Sequence, residues 1–356
     1  MNEKIALQID QLLIDSGLFQ TKAKPTAYNN DFNFSNETVL ITGAAGSVGA
    51  ELSKQLLNCN YKHLILVDMA ESPLYDLIKT FELNHKNHTS YHLLNINDSA
   101  SIHFIFEKYK PTLVFHAAAY KHVPLMEEHP LEGIKTNIFA TKELAELSIQ
   151  YGVKKFIFVS TDKAVNPSGV MGMTKRIAEK HLSYLNAQYH TVFLNARFGN
   201  ILGSNGSVVP LFKRQLKNGS PITLTQKDIS RYFICKRKAC YLILKMADFD
   251  KNTTNTFTFN MGEPIKIVDI IQRMLKYYNK NVSDIEIKNT GLRPGEKLFE
   301  EMISENEYLE PTLVEDIWAV KEKNKQKFEA IDFKSLEQVN FYTPYSEIKS
   351  ILKNNV

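Results

Sequence analysis

A doubly wound, largely parallel α/β sheet followed by a smaller α+β lobe is what the sequence predicts, and three observations predict it. Short apolar runs rich in β-branched and aromatic residues alternate with helical patterns from Glu37 to about Gly199, the signature of parallel strands with crossover helices. The first run passes directly into a glycine-spaced turn that opens an amphipathic helix. Beyond Gly199 the rhythm breaks into short strands and helices, the texture of a second lobe.

The elements follow in chain order. Residues 3–14, "EKIALQIDQLLI", place Ile5, Ile9, Leu12 and Leu13 on one helical face, with Gly17 as a stop signal. The polar stretch "TKAKPTAYNNDFNFSN" reads as an arm, so residues 1–36 form a docking helix and linker. This helix packs on its own core or on a second subunit, and the pattern leaves both open. Residues 37–199 carry the expected strands "TVLIT", "HLILVD", "YHLLN", "TLVFHAAA", "KFIFVS" and "VFLNARF". Residues 200–356 mix "PITLT" and "TFTFN" with two or three helices and are expected to grip a substrate while interleaving with the first domain.

Composition narrows the function. The chain has 356 residues, 44% of them hydrophobic, enough for a sizeable core. A net charge of +4 without a long basic run argues against nucleic acid. Cys59, Cys235 and Cys240 have neither metal-ligand nor disulfide spacing, so no metal is expected and the thiols read as reduced. No apolar run approaches the ~20 residues of a membrane span, and the protein is expected to be soluble and cytoplasmic.

The turn after the first strand is "TGAAGSVGAELSKQLL". Gly43, Gly46 and Gly49 let the backbone approach a pyrophosphate, and the helix that starts near Ser47 and Val48 offers free N–H groups. Asp68 ends the second strand about 20 residues on, where a carboxylate accepts from both hydroxyls of an adenosine ribose. It would repel a 2′-phosphate by about 4 kcal/mol per charge pair at ~4 Å and an effective dielectric near 20. "DMAES" brings no arginine to offset this, so the dinucleotide site of a Rossmann-type domain is expected to take NAD, not NADP. Asn95 and Ile96 follow the third strand, near the expected adenine. Ala117, Ala118 and Ala119 let the end of the fourth strand lie flat along the cofactor.

The fifth strand ends at Ser160 in "STDKAVNPSGVMGMTKR". Strand C-termini are where doubly wound folds place chemistry, so Thr161, Asp162 and Lys163 are catalytic candidates. Met171 and Lys175 share a helix face at i, i+4. A Tyr-x-x-x-Lys pair would be expected here, and a thioether cannot carry the proton.

The blocks "TGAAGSVG", "AYKHVPLMEEHP", "STDKAVNPSGVMGMTKR", "RFGNILGSNGSVVPLF", "SRYF" and "GLRPGEKLFEE" together resemble the extended short-chain dehydrogenase/reductases, and within them the UDP-N-acetylglucosamine 4,6-dehydratases of polysaccharide biosynthesis. In that subfamily methionine commonly replaces the tyrosine, so the resemblance implies a live site. It implies NAD-dependent oxidation at carbon 4 of a UDP-sugar, loss of water across carbons 5 and 6, and return of the hydride to carbon 6. It further implies Lys163 as base and Asp162 as acid, which requires a neutral amine beside a protonated carboxyl. Thr161 and Lys175 remain the two candidates for the 4-hydroxyl proton. Arg293 is implied at the pyrophosphate and Glu296 at the uridine ribose, with Arg231, Asn200 and Lys121 also facing the substrate. Self-association is implied as well. The blocks look more like the configuration-retaining branch than the 5-epimerising one. The rival readings are that inverting dehydratase, a UDP-N-acetylhexosamine 4-epimerase, and a non-catalytic dinucleotide sensor.

Overall fold

The computed structural model describes residues 1–28, 32–83, 88–250, 254–324 and 330–356. Its first half is α1 (Glu3–Asp15), β1 (Asn33–Thr42), α2 (Ser47–Leu56), β2 (Asn60–Asp68), α3 (Glu71–Glu82), β3 (Thr89–Leu93), α4 (Ser99–Tyr109) and β4 (Leu113–His116). Then come α5 (Val123–Glu128), α6 (Pro130–Gly133), α7 (Ala140–Gln150), β5 (Lys155–Val159), α8 (Val170–Gln188) and β6 (Val192–Arg197).

The remainder alternates short strands and helices: β7 (Asn200–Leu202), α9 (Val208–Lys217), β8 (Ile222–Leu224), β9 (Ser230–Arg231), β10 (Phe233–Cys235), α10 (Lys236–Lys245) and β11 (Thr256–Phe259). It ends with β12 (Ile265–Lys266), α11 (Ile267–Lys276), β13 (Ile287–Asn289), β14 (Glu307–Pro311), β15 (Ile317–Glu322), α12 (Phe333–Glu337) and α13 (Tyr345–Asn355).

The central sheet has nine strands in the order β14-β15-β11-β6-β5-β4-β1-β2-β3. From β3 to β11 every pairing is parallel, and β15 and β14 add antiparallel at one edge. The chain runs outward from β1 through β2 and β3, then crosses back to β4. A crevice therefore opens at the C-terminal ends of β1 and β4, where such folds bind ligands. Val39, Leu40 and Ile41 on β1 are fully buried, as are Phe156, Ile157 and Phe158 on β5. Strands covered on both faces read as continuous apolar runs, which is why these were legible.

One element starts earlier than the sequence pattern indicates. β1 begins at Asn33, inside the stretch expected to be a linker, because Asn33 and Phe34 pair with Asn60 and Tyr61 before a register shift. Phe32 and Phe34 are buried and stacked there, and their polar neighbours hid the strand. Residues 29–31 of that stretch lie outside the described residues. The second half also supplies β11, β15 and β14 to the main sheet. Within the described chain α1 packs on its own second lobe. Ile9 and Leu13 are fully buried with Ile270, Ile271 and Met274, Gln8 donates to the Met261 carbonyl (2.9 Å), and Asp10 pairs with Arg273.

Candidate active site

The turn between β1 and α2 is built around glycines that nothing larger replaces. Gly43 has φ +67°, and a Cβ there would sit 2.6 Å from the Ala118 nitrogen; one on Gly49 would sit 2.0 Å from the Gly43 oxygen. Gly46 begins α2 without a side-chain cap, which leaves the leading N–H groups around Ser47 and Val48 for an anion. Asp68 stands at the mouth of this cradle. Its Oδ2 accepts from the Ala45 N–H and its Oδ1 from the Ala70 N–H, each at 2.8 Å. The carboxylate is thus a turn cap, and each oxygen keeps a second lone pair for a hydroxyl. The turn of Ala117, Ala118 and Ala119 follows β4 and lies against Gly43.

Two expected cofactor residues are otherwise engaged. Asn95 closes a local turn by accepting from the Asn97 N–H (3.0 Å), and Ile96 is buried in the apolar cluster with Ile102 and Val114. The loop after β7 straps the cradle: the Asn205 N–H donates to Ser47 Oγ (3.0 Å) and Lys121 Nζ to the Asn205 carbonyl (3.0 Å). Lys121 is therefore tied to that strap.

The catalytic candidates sit on the turn after β5. The Asp162 N–H donates to the Phe198 carbonyl (3.0 Å), which fixes the turn against β6. Thr161 Oγ1 donates to Asp162 Oδ1 (2.9 Å), and Lys163 Nζ donates to the same oxygen (2.9 Å) and to Asn200 Oδ1 (3.1 Å). Asp162 is fully buried, and its Oδ2 has no hydrogen-bond partner among the described residues. A Cβ on Gly199 would meet that oxygen at 3.2 Å and the Tyr232 carbonyl at 2.7 Å, so only glycine closes the turn. Lys163 Nζ and Asp162 Oδ1 thus stand in direct contact, because adjacent residues bring the amine onto the carboxyl group.

The helix that follows treats its residues differently. Glu127 accepts from the Val170 N–H at the start of α8 (2.7 Å) and is held by the Tyr345 hydroxyl. Lys175 is 6% exposed, lies 4.0 Å over the Phe158 ring, and makes no hydrogen bond among the described residues. Burial pushes its amine down to about 7, against the pull of Glu179. Met171 packs with Met126, Ile134, Val170 and Ile177. The side chain is part of that apolar cluster.

Behind this turn lies a buried ionic cluster. Glu179 accepts from Ser160 Oγ (2.6 Å) and pairs with Arg197 (2.8 Å), which also meets Glu307 at the start of β14 (3.1 Å). Burial opposes ionisation of Glu179, but Arg197 holds it below its usual range. The cluster bolts the added strand β14 to the catalytic helix.

In the second lobe Arg231 donates to the carbonyls of Ser230 (2.7 Å), Lys297 (2.7 Å) and Leu298 (3.0 Å). These donors go to the backbone and pin the 297–300 segment. Arg293 and Glu296 face each other across 3.9 Å, on a loop with Gly291 and Gly295 at positive φ. That loop touches the start of α8, since a Cβ on Gly169 would sit 3.0 Å from the Gly295 Cα. Sequence reasoning missed Glu300, whose carboxylate lies 3.7 Å from Lys163 Nζ. It also missed Glu127, Glu179 and Asn205. Glu127 and Glu300 stand inside the quoted blocks "AYKHVPLMEEHP" and "GLRPGEKLFEE", which was the available signal.

Residues 39–322 match the family model described as polysaccharide biosynthesis protein. The chain is 40% identical over 286 residues to the capsular polysaccharide biosynthesis protein CapD of Staphylococcus aureus, covering 80% of this chain and 48% of the relative. It is 32% identical over 281 residues to a UDP-N-acetylglucosamine 4,6-dehydratase (inverting) of Campylobacter jejuni, covering 77% of this chain and 79% of the relative. Among solved structures it resembles Pen from Bacillus thuringiensis, with TM-score 0.73, 29% identity, and coverage of 83% and 90% of the two chains. The chain spans about half the length of the first curated relatives it matches.

Proposed function

The chain belongs to the polysaccharide biosynthesis protein family, within the short-chain dehydrogenase/reductases, and from that premise we propose that it dehydrates UDP-N-acetylglucosamine to a UDP-4-keto-6-deoxy-N-acetylhexosamine with NAD, retaining configuration at carbon 5. The observation that carries the reading is the Asp162–Lys163–Asn200 group at the strand C-termini, beside a glycine cradle that excludes a Cβ.

The residues present fit NAD: Gly43, Gly46, Ser47, Val48 and Gly49 take the pyrophosphate, Asp68 the ribose, Ala117, Ala118 and Ala119 the flat face, and Lys175 the nicotinamide ribose. When bound, NAD supplies the acceptor for the carbon-4 hydride and its donor to carbon 6. The protein's part is proton transfer. Lys163 takes the proton from carbon 5, and Asp162 gives one to the departing 6-hydroxyl, each worth typically 10²–10⁴-fold. Before elimination the pair is a carboxylic acid and an amine; afterwards it is a carboxylate and an ammonium. Those two forms hold the same number of protons. Carbon 5 takes its proton back from the Lys163 ammonium as the hydride reaches carbon 6, and Asp162 regains a proton equal to the one the 4-hydroxyl gave up, so amine and acid are both restored. The orphaned, buried Oδ2 of Asp162 supports the acid role, because a carboxyl oxygen without a donor is costly unless it carries a proton or meets a hydroxyl. Lys175, uncharged above about pH 7, takes the 4-hydroxyl proton with Thr161 as relay.

Arg293 and Glu296 open to the UDP group, and the enzyme self-associates. Retention at carbon 5 rests on the sequence blocks alone; the Campylobacter relative is named as inverting. Incubation with UDP-N-acetylglucosamine and NMR of the product tests the whole reading. A 4-keto-6-deoxy sugar of gluco-derived geometry at carbon 5 is expected. The 4-epimer would make the protein an epimerase, inversion at carbon 5 would place it with the inverting enzymes, and NAD binding without turnover would make it a sensor.

A further inference from the structure

Glu300 lies outside every role given above, yet its surroundings are those of a working group. Its side chain is 3% exposed, and it accepts no hydrogen bond among the described residues. Two cations approach it, Lys163 Nζ at 3.7 Å and Arg231 Nη2 at 3.8 Å. Arg231 also grips the carbonyls of Lys297 and Leu298, so the segment that delivers Glu300 is fixed. The segment directly follows the loop holding Arg293 and Glu296.

We propose that Glu300 is a positioning residue of the catalytic pair: it shares the Lys163 ammonium with Asp162 and thereby sets where the pair's proton resides. This rests on the dehydratase reading only for its consequence in turnover; the charge arrangement stands without it. Lys163 faces Asp162 on its own turn, Asn200 on β7 and Glu300 on the third segment. Glu300 faces Lys163, Arg231 on β9, and the charges of Asp162 and Lys297. Burial pushes the Glu300 carboxyl above its ordinary range while Lys163 pulls it down. With Glu300 ionised, the ammonium form of Lys163 is favoured and its proton leaves less readily. With Glu300 neutral, it leaves more readily.

The test is the titration of Lys163, read by competitive acetylation with acetic anhydride across pH and residue-resolved mass spectrometry. Glu300→Gln should lower the midpoint by about one unit, giving about tenfold more free amine at a given pH. The alkaline limb of kcat, where the pair loses its shared proton, should move down with it while KM stays unchanged. Glu300→Asp keeps the charge but draws it back by one methylene, so its shift should be smaller. A Glu300→Gln midpoint equal to the wild type's overturns the proposal, whatever the turnover. Should Glu300→Gln fail to fold, an unmoved midpoint in Glu300→Asp overturns it likewise. Absence of any product from the wild-type enzyme would count against the dehydratase reading, and the acetylation result would still decide the role of Glu300.

Discussion

The turn after β5 and the first turns of α8 each present a lysine, and they treat its charge in opposite ways. The two regions touch: a Cβ on Gly172 would sit 2.1 Å from the Lys163 carbonyl. On the turn, Lys163 is met by Asp162, Asn200 and Glu300 within 4 Å, a ring of acceptors suited to an ammonium. On the helix, Lys175 is buried without a hydrogen bond among the described residues, and burial favours the free amine. Two proton tasks need two such lysines. On the proposed dehydration, one would accept the carbon-5 proton and return it to that carbon. The other must take a hydroxyl proton near neutral pH without a tyrosine.

The largest effect should come from the turn. Lys163→Met should cut product formation by about 10²–10⁴-fold, while formation of reduced cofactor in a single turnover stays within tenfold of wild type. Asp162→Asn should behave alike. If both variants also lost cofactor reduction, the division of labour between the two regions would be broken.

Lys175→Ala should act earlier, nearly abolishing reduction of the cofactor, a loss of about 100-fold or more. Stopped-flow absorbance of the reduced nicotinamide reads this directly. Normal reduction rates in this variant would end the relay through Thr161 and Lys175.

A pH series sharpens the contrast. Because Lys175 is pushed down to about 7, activity should fall as pH drops through 7, and Lys175→Ala should lack that limb. The sign for stability follows from linkage. In the unfolded chain this amine holds its proton up to its ordinary pKa near 10.5, but in the folded protein only up to about 7. Between those values the unfolded state binds more protons, so stability from this group is complete above 10.5 and declines as pH falls to 7. Urea titrations of wild type against Lys175→Met should show a difference that grows over that window and levels off below it.

The cradle and the first six strands were legible because their causes are local. Gly43 and Gly49 are dictated by backbone approach, and the β1, β4 and β5 runs by burial on both faces. The start of β1 at Asn33 was not legible, since Phe32 and Phe34 are buried by residues distant in sequence, among them Tyr241. The same holds for Arg231: a basic residue in a matched block reads as a phosphate ligand, and only the fold shows that backbone carbonyls use its donors. Glu300 illustrates it most sharply. Nothing in the local pattern brings it to Lys163; that proximity is made by β9 and the 297–300 segment folding onto the β5 turn. Antiparallel β14 and β15 went unread because Glu307 owes its place to Arg197 on β6.

Met171 marks the smallest expected effect on chemistry and the clearest limit of the comparison. It shares a helix face with Lys175 but is 3% exposed among Met126, Ile134, Val170 and Ile177. Met171→Ala should therefore cost about 2–5 kcal/mol of stability through the cavity left behind, and lower activity per folded molecule only moderately, by less than about tenfold. Met171→Tyr should not restore a short-chain dehydrogenase's acid. A phenol in this filled cluster costs about 1–3 kcal/mol in overpacking, and on the proposed mechanism the proton task falls to Lys175. A rate gain in Met171→Tyr would show that the position faces the substrate after all, and that the helix, not its buried lysine alone, governs the first proton transfer.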